Sequence, residues 1–412
     1  MLSRRLLEWP RGCWPNESQR LLLQACFLED DRACLRAYEA WQRLVLWDFI
    51  DGSSLRMLLL LKDRLRRMAL SAPEMPRLTG IVRYHWVQTQ LLQRDTISLL
   101  RLFNEAGLDT LLLKGAALHA TVYPEGLRSM ADIDVAVRRS QVNAALELLK
   151  RHAWEPRFRC HEQMPQVSHA THLTGKDHSD LDLHWDIFHE HYLTDEQLET
   201  IWQASHPIQV GAQPTRVLCP ADQLLHTCEH GLRYDETPPF RWLADAYYLV
   251  RTLGEEIDWE RCGWLAKQHG LLLPVRQTLD YLQQYLDLEI PTAARTQLQK
   301  YRVSLRSRWD QRIVSRRQPG IHPFLQGLPK NLLAYGRLRR KRPGIGLGSF
   351  LCQVNDLEMS PTKCLLHFAK LSAAASRSRC HDRVESLYQR ISGRSRYLFS
   401  MASATADQLE GC

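Results

Sequence analysis

Residues 111–137 read LLLKGAALHATVYPEGLRSMADIDVAV. An apolar run, Leu111-Leu112-Leu113, breaks at Lys114-Gly115; a second closes the stretch, with Asp132-Ile133-Asp134 leading into Val135 and Val137. Successive side chains of a strand point to opposite faces, so residues i and i+2 share one. As a strand, the second run therefore projects Asp132 and Asp134 together and packs Ile133 and Val135 the other way. Carboxylates held side by side repel unless a cation sits between them. Oxygen-rich sites of this kind suit Mg²⁺, usually shared with substrate phosphates. An Asp-x-Asp in a strand is common by itself. Here it stands with a strand, a Lys-Gly turn, a helix over 116–123 and an arginine-bearing loop.

Downstream, 166–173 and 179–185 read as two strands joined by a turn at Thr174-Gly175-Lys176-Asp177. The second alternates: Asp180, Asp182, His184 and Asp186 fall on one face, and Leu181, Leu183 and Trp185 on the other. Either this is a solvated hairpin face, or it brings a further carboxylate to the first pair, with Asp182 and Asp180 as rivals. Ser140 is placed to cap a helix through 141–151, whose Val142, Ala145, Leu146 and Leu149 face the sheet.

Taken together, Lys114-Gly115-Ala116-Ala117-Leu118, Tyr123-Pro124, Arg128, Asp132-Ile133-Asp134 and Asp182-Leu183-His184-Trp185 resemble the uncharacterised nucleotidyltransferase group of the polymerase β-like nucleotidyltransferase superfamily. The resemblance covers roughly residues 55–250. Many members of the wider superfamily carry Gly-Ser after the first strand; this chain has Gly115-Ala116 and a longer gap before the aspartates, as the narrower group does with its Lys-Gly-Ala.

The resemblance implies transfer of a nucleoside monophosphate from an NTP to a hydroxyl acceptor, with release of pyrophosphate. It implies that Asp132, Asp134 and Asp182 hold Mg²⁺ or Mn²⁺, with Asp182 favouring deprotonation of the acceptor. Lys114, Gly115, Ala116 and Arg128 are the expected phosphate-binding residues, and His184 either meets a phosphate or orients a neighbour. The acceptor is open: a small molecule, a peptide or protein, or RNA. A catalytically weak binding module of the same fold, antitoxin-like, is the alternative, as is a protein that modifies RNA ends.

From Pro220 the reading is helical, with Asp222, His226 and His230 sharing one face. Beyond Pro238-Pro239, Arg241, Trp242 and Asp245 recur at helical spacing, and the resembling group has corresponding positions. Two readings stand: His230, Arg241 and Asp245 line the far wall of a nucleotide cleft, or they form a buried polar network between helices.

The remainder of the chain frames this module. At 412 residues, 44% hydrophobic and 24% charged, the composition excludes wholesale disorder and allows several domains. Residues 17–105 read as helices, the last over 78–106, with Ile81, Trp86, Leu91, Leu92, Ile97, Leu100 and Phe103 as its inner stripe and Gly107 at C′. Eleven cysteines, an odd number with no C-x-x-C pair, argue for reduced thiols in the cytoplasm. The run 57–61 (MLLLL) is far too short to span a membrane. His161, His169, His172, His178, His189 and His191, with Cys160, fit no four-ligand zinc spacing.

Between 302 and 342 roughly a dozen Lys and Arg stand against one acid, Asp310, within a net charge of +8. Such a stripe suits nucleic acid, an acidic partner or solvent alike. The sequence 344–349 (GIGLGS) lacks the Lys-Ser/Thr ending of a phosphate loop and reads as a turn. The expected architecture is α+β: a small mixed sheet, the palm, embedded in a mainly helical chain. The expected modules are 1–105 helical, 106–205 palm, 206–300 helices closing the cleft, and 301–412 basic and mostly helical.

Overall fold

A computed structural model describes residues 13–157, 164–176, 179–188, 192–232, 239–314 and 323–354. Cys160, His161, Asp177, His178, His189, His191, Pro238 and the arginine-rich stretch beyond 354 lie outside the described residues. The chain divides into two compact units, Met1–Arg317 with Leu333–Gly346, and Gln318–Leu332 with Leu347–Cys412. The first contains the sheet. In the second, the described part comprises the opening of α15 (Pro323–Lys341) and α16 (Leu347–Val354).

Four helices lead in: α1 (Glu17–Phe27), α2 (Asp31–Leu44), α3 (Gly52–Arg67) and α4 (Met75–Glu105). Asn16 and Gln19 form a reciprocal capping box on α1, and Asp51 caps α3 by accepting the Ser54 amide at 2.9 Å. Pro76 opens α4, where its missing N–H costs nothing, and Gly107 (φ +68°) ends it. The buried stripe of α4 is Leu78, Thr89, Leu92, Thr96, Leu99, Leu100 and Phe103. Trp86 and Leu91, expected inside, are exposed. The three-and-four spacing runs through Thr89 and Thr96, whose hydroxyls are satisfied by the His85 and Leu92 carbonyls of the same helix.

The strands are β1 (Thr110–Leu112), β2 (Ile133–Val137), β3 (Glu155–Pro156), β4 (Ala170–Thr174), β5 (Asp180–His184), β6 (His206–Val210) and β7 (Gln213–Val217). They lie in the order β3-β4-β5-β2-β1-β7-β6. The sheet is mixed: β2–β5 and β1–β7 are parallel, the remaining pairs antiparallel. α5 (Lys114–Thr121) and the loop after it link β1 to β2, while α6 (Val142–Arg151), α7 (Met164–Val167) and α8 (Asp195–Ala204) occupy later connections. An α+β chain with a small mixed sheet is the observed class.

Three local readings change. Ser140 sits inside a 3-10 turn (Arg139–Gln141), so Gln141, not Ser140, precedes α6, and no side chain caps it. Residues 166 and 167 are helical because Pro165 presets the turn of α7; pairing with β5 begins at Ala170. The hairpin β6–β7 had no counterpart in the sequence reading. It turns at Gly211 (φ +59°), and β7 sits beside β1 with Leu112 opposite Val217.

Alternation decides where the two cores lie. Leu112, Ile133, Val135, Val137, Leu181 and Leu183 pack with Leu99, Leu100 and Phe103 of α4 and with Val142, Ala145 and Leu149 of α6. Each such fully buried side chain stabilises the fold by about 1.5–3 kcal/mol. Leu111, Leu113 and Ala136, from alternate positions, join a second core with helices that precede β1 and helices that follow β7. These include α9 (Pro220–Gly231), α10 (Arg241–Leu253), α11 (Trp259–Gln268), α12 (Leu272–Leu286) and α13 (Thr292–Gln299). Asp222 ties α9 to α11 through two contacts with Arg261, at 2.8 and 2.7 Å.

Part of the basic run is used internally. Arg337 pairs with Asp310 of α14 (Leu305–Val314) at 3.0 Å. Arg342 lies 3.6 Å from the buried Asp186, which also binds Arg139 at 3.0 Å and the Ile187 and Leu193 amides. Arg306, Arg308, Arg312, Arg339 and Arg340 are exposed. Among the described residues no helix is long and apolar enough to cross a membrane, and the free thiols of Cys13, Cys26, Cys34, Cys219, Cys228 and Cys262 are all buried.

Candidate active site

The turn after β1 is tied to β2: the Leu113 amide donates to the Asp134 carbonyl at 3.0 Å. The next residue, Lys114, has φ +43°, a left-handed conformation that is strained for a residue with a Cβ. Its side chain crosses the polar face of the sheet. The Nζ lies 2.6 Å from Asp134 Oδ1 and 3.6 Å from Asp182 Oδ2.

Parallel pairing sets Asp134 directly opposite Asp182, and antiparallel pairing sets His172 opposite Asp182. Three strands thus align His172, Asp182 and Asp134 in one row. His172 Nδ1 lies 2.6 Å from Asp182 Oδ1, and its Nε2 3.2 Å from Asp180 Oδ1. Asp180 stands two residues further toward the hairpin end, opposite Thr174, so register selects Asp182 as the neighbour of Asp134. His184, two residues on, donates from Nε2 to Asp134 Oδ1 at 3.2 Å.

Asp132 precedes β2 and shares the Asp134 face, but i and i+2 along a strand are about 6.6 Å apart, further than in-register neighbours on paired strands. The donor atoms that gather within 4.8 Å of one another among the described residues belong to Asp134, Asp182 and His184. The expected Asp132–Asp134–Asp182 ligand set is thus represented here by two of its members, with His184 beside them.

The charges explain the protonation states. Burial alone would raise the Asp134 pKa, yet the Lys114 ammonium and the His184 N–H hold it well below the usual carboxylate range. Burial and the neighbouring Asp134 push Asp132 up to about 6. Burial lowers His184, leaving a neutral imidazole whose Nδ1 is buried without a hydrogen-bond partner. Burial opposes the charge of Lys114, but Asp134 and Asp182 raise its pKa above the ordinary value. Three carboxyl groups thus face one ammonium. Two converging carboxylates suit a hard divalent ion such as Mg²⁺ or Mn²⁺, which would complete its shell with water and phosphate.

A second polar group backs the first. Arg128 donates from Nε to Asp245 Oδ1 at 2.8 Å and from Nη2 to Asp245 Oδ2 at 3.0 Å, and the Tyr123 hydroxyl donates to Asp245 Oδ1 at 2.7 Å. Arg128 Nη1 donates to the Ser129 carbonyl at 2.6 Å, and Arg241 Nη1 reaches the same carbonyl at 3.0 Å and Ser129 Oγ at 3.1 Å. Arg128, expected at a phosphate, forms a buried tie from the 122–132 loop to α10. Burial and the Arg128 charge lower the Arg241 pKa, a setting that favours an anion.

Of the other expected residues, Ala116 is buried in the sheet core, and a Cβ on Gly115 would meet Arg128 Nη1 at an ordinary 3.6 Å. His230 is exposed on α9, its ring 6.4 Å from that of His226. Sequence reasoning missed His172 as a neighbour of Asp182. The paired positions are not symmetric about Gly175, so the turn read from the sequence does not supply that register. No local pattern points to Tyr123 meeting Asp245, 122 residues away.

Two solved structures are similar at low identity. A lincosamide antibiotic adenylyltransferase, LnuA, solved with lincomycin bound, is 15% identical, with 38% of this chain and 94% of that one covered at a TM-score of 0.28. An antigenic nucleotidyltransferase-like protein from Paracoccidioides brasiliensis is 14% identical, with 50% and 97% covered at a TM-score of 0.32. No curated protein matches. The sequence model described as "uncharacterised nucleotidyltransferase" matches residues 53–287, a span that takes in Lys114, both strand aspartates, His184 and the Arg128–Asp245 tie, and the chain belongs to that family.

Proposed function

We propose that the chain is a divalent-metal-dependent nucleotidyltransferase that moves an NMP from an NTP to a hydroxyl acceptor. The observation that carries the reading is the in-register pair Asp134 and Asp182, converging on one face beside Lys114 and His184. In this reading Asp134 and Asp182 hold Mg²⁺ or Mn²⁺, and Asp132 adds charge at the entrance. When bound, the metal neutralises triphosphate charge and eases deprotonation of the acceptor hydroxyl.

The chain's own residues do the positioning. Asp182 accepts the hydroxyl proton as the acceptor oxygen bonds to the α-phosphorus and the bond to pyrophosphate breaks. His172, 2.6 Å from Asp182, fixes the carboxylate plane. His184 does the same for Asp134. The first amides of α5 have no intrahelical acceptor and Leu113 caps none of them with its side chain; with Lys114 and Arg241 they supply donors for phosphate oxygens. The helices that follow β7 form the wall opposite the sheet. Alignment and electrostatics supply the rate, without a covalent enzyme intermediate.

Calorimetric titration of each NTP with Mg²⁺ or Mn²⁺ tests the reading, on the wild type and on the folded Asp132→Ala/Asp134→Ala double variant. Metal-dependent binding that the double variant lacks supports it and names the nucleotide for an acceptor screen. If the wild type binds no NTP with either metal, the proposal fails.

A further inference from the structure

We propose that the Lys114 ammonium is an internal counter-ion that fills the cation position between Asp134 and Asp182 and leaves it when metal enters. The inference rests on the reading that these two carboxylates take the metal. Its basis is occupancy. Asp134 Oδ1 already receives Lys114 Nζ at 2.6 Å and His184 Nε2 at 3.2 Å, while the same Nζ is 3.6 Å from Asp182 Oδ2. Mg²⁺ needs its oxygen ligands at about 2.0–2.1 Å. It cannot take that distance to both carboxylates while an ammonium stands between them.

The chain also provides the means of exchange. A lysine is a point charge on a flexible four-carbon stem, so it can vacate the position without moving the backbone. The side chain is 19% exposed, which leaves it a route outward, whereas Asp134 is fixed in β2. A displaced ammonium would find its new partner in the triphosphate that arrives with the metal. Metal entry and nucleotide entry are thereby linked: metal alone must displace a cation with no compensation, whereas metal with NTP offers the cation a phosphate. Without its counter-ion, the buried Asp134 would pull metal in directly.

The test is a titration of Mn²⁺ alone into wild type, Lys114→Met and Asp134→Asn. The expected result is Mn²⁺ affinity at least tenfold tighter in Lys114→Met than in wild type, about 1.4 kcal/mol, and none in Asp134→Asn. Because Lys114→Met leaves carboxylates uncompensated and can fail to fold, a second measurement uses wild type only. Reductive methylation read by mass spectrometry should label Lys114 faster with saturating Mn²⁺ than without. Equal Mn²⁺ affinity in wild type and Lys114→Met, or methylation that Mn²⁺ leaves unchanged, overturns the counter-ion inference while the metal site stands. If neither protein takes up Mn²⁺, even with NTP present, the transferase reading falls and this inference with it.

Discussion

Asp245→Ala should unfold this chain more readily than any loss of a surface charge, and the reason is Arg128. The two residues are 4% and 6% exposed and share two hydrogen bonds, at 2.8 and 3.0 Å, with a third from the Tyr123 hydroxyl at 2.7 Å. Burial works against the guanidinium charge, and Asp245 outweighs it, so Arg128 stays charged with its partner present. Removing the carboxylate leaves a buried cation and a buried phenol unpaired. Breaking a buried pair in this way costs about 3–5 kcal/mol. For a body of about 300 residues the unfolding entropy is roughly 0.6 kcal/mol per kelvin, so Tm should fall by about 5–8 °C. Removing both charges is a different matter: Arg128→Met/Asp245→Leu should recover at least about 2 kcal/mol relative to Asp245→Ala, because no unpaired ion remains. Urea unfolding followed by tryptophan fluorescence measures both. A loss below about 1 kcal/mol for Asp245→Ala, or a double variant as unstable as the sum of the singles, refutes the argument that this pair anchors the 122–132 loop.

Three further outcomes are expected. Gly231→Ala puts a Cβ within 2.0 Å of the Trp242 ring, so it should destabilise by about 1–3 kcal/mol and displace α10 with Arg241 and Asp245; near-UV circular dichroism unchanged from wild type would contradict this. Asp132→Asn should stabilise the metal-free protein at neutral pH and do nothing in acid. The folded pKa of about 6 lies above the unfolded value, so the carboxyl is penalised as pH rises from about 4 through 6, and the penalty then stays; a Tm gain that is as large at pH 4 as at pH 7.5 would be wrong for this cause. His172→Ala should lower kcat about 10- to 100-fold with NTP affinity kept, whereas Asp180→Asn should change kcat little, since His172 touches Asp182 directly and Asp180 reaches it only through His172; equal effects in single-turnover assays would reverse their assigned roles.

Much of this protein can be read along the chain because its information is local. The Lys-Gly break after an apolar run, the Asp-x-Asp of β2 and the clean alternation of β5 all depend on period and on neighbours a few residues away. The family motif sits on the same residues. What the chain by itself leaves undetermined involves distance. The register that sets Asp134 against Asp182, 48 positions apart, comes from a parallel crossover whose pairing no local pattern encodes. Trp86 and Leu91 look apolar enough for a core and are exposed, because the sheet and its helices offer α4 one stripe and not two. The hairpin β6–β7 is stabilised by pairing with β1, not by strong propensity of its own. Arg128 and Lys114 both read as phosphate ligands along the chain; only folding brings Asp245 to the first and two aspartates to the second. Residue type determines which charges exist; only tertiary packing, by excluding water and fixing distances, determines which of them meet.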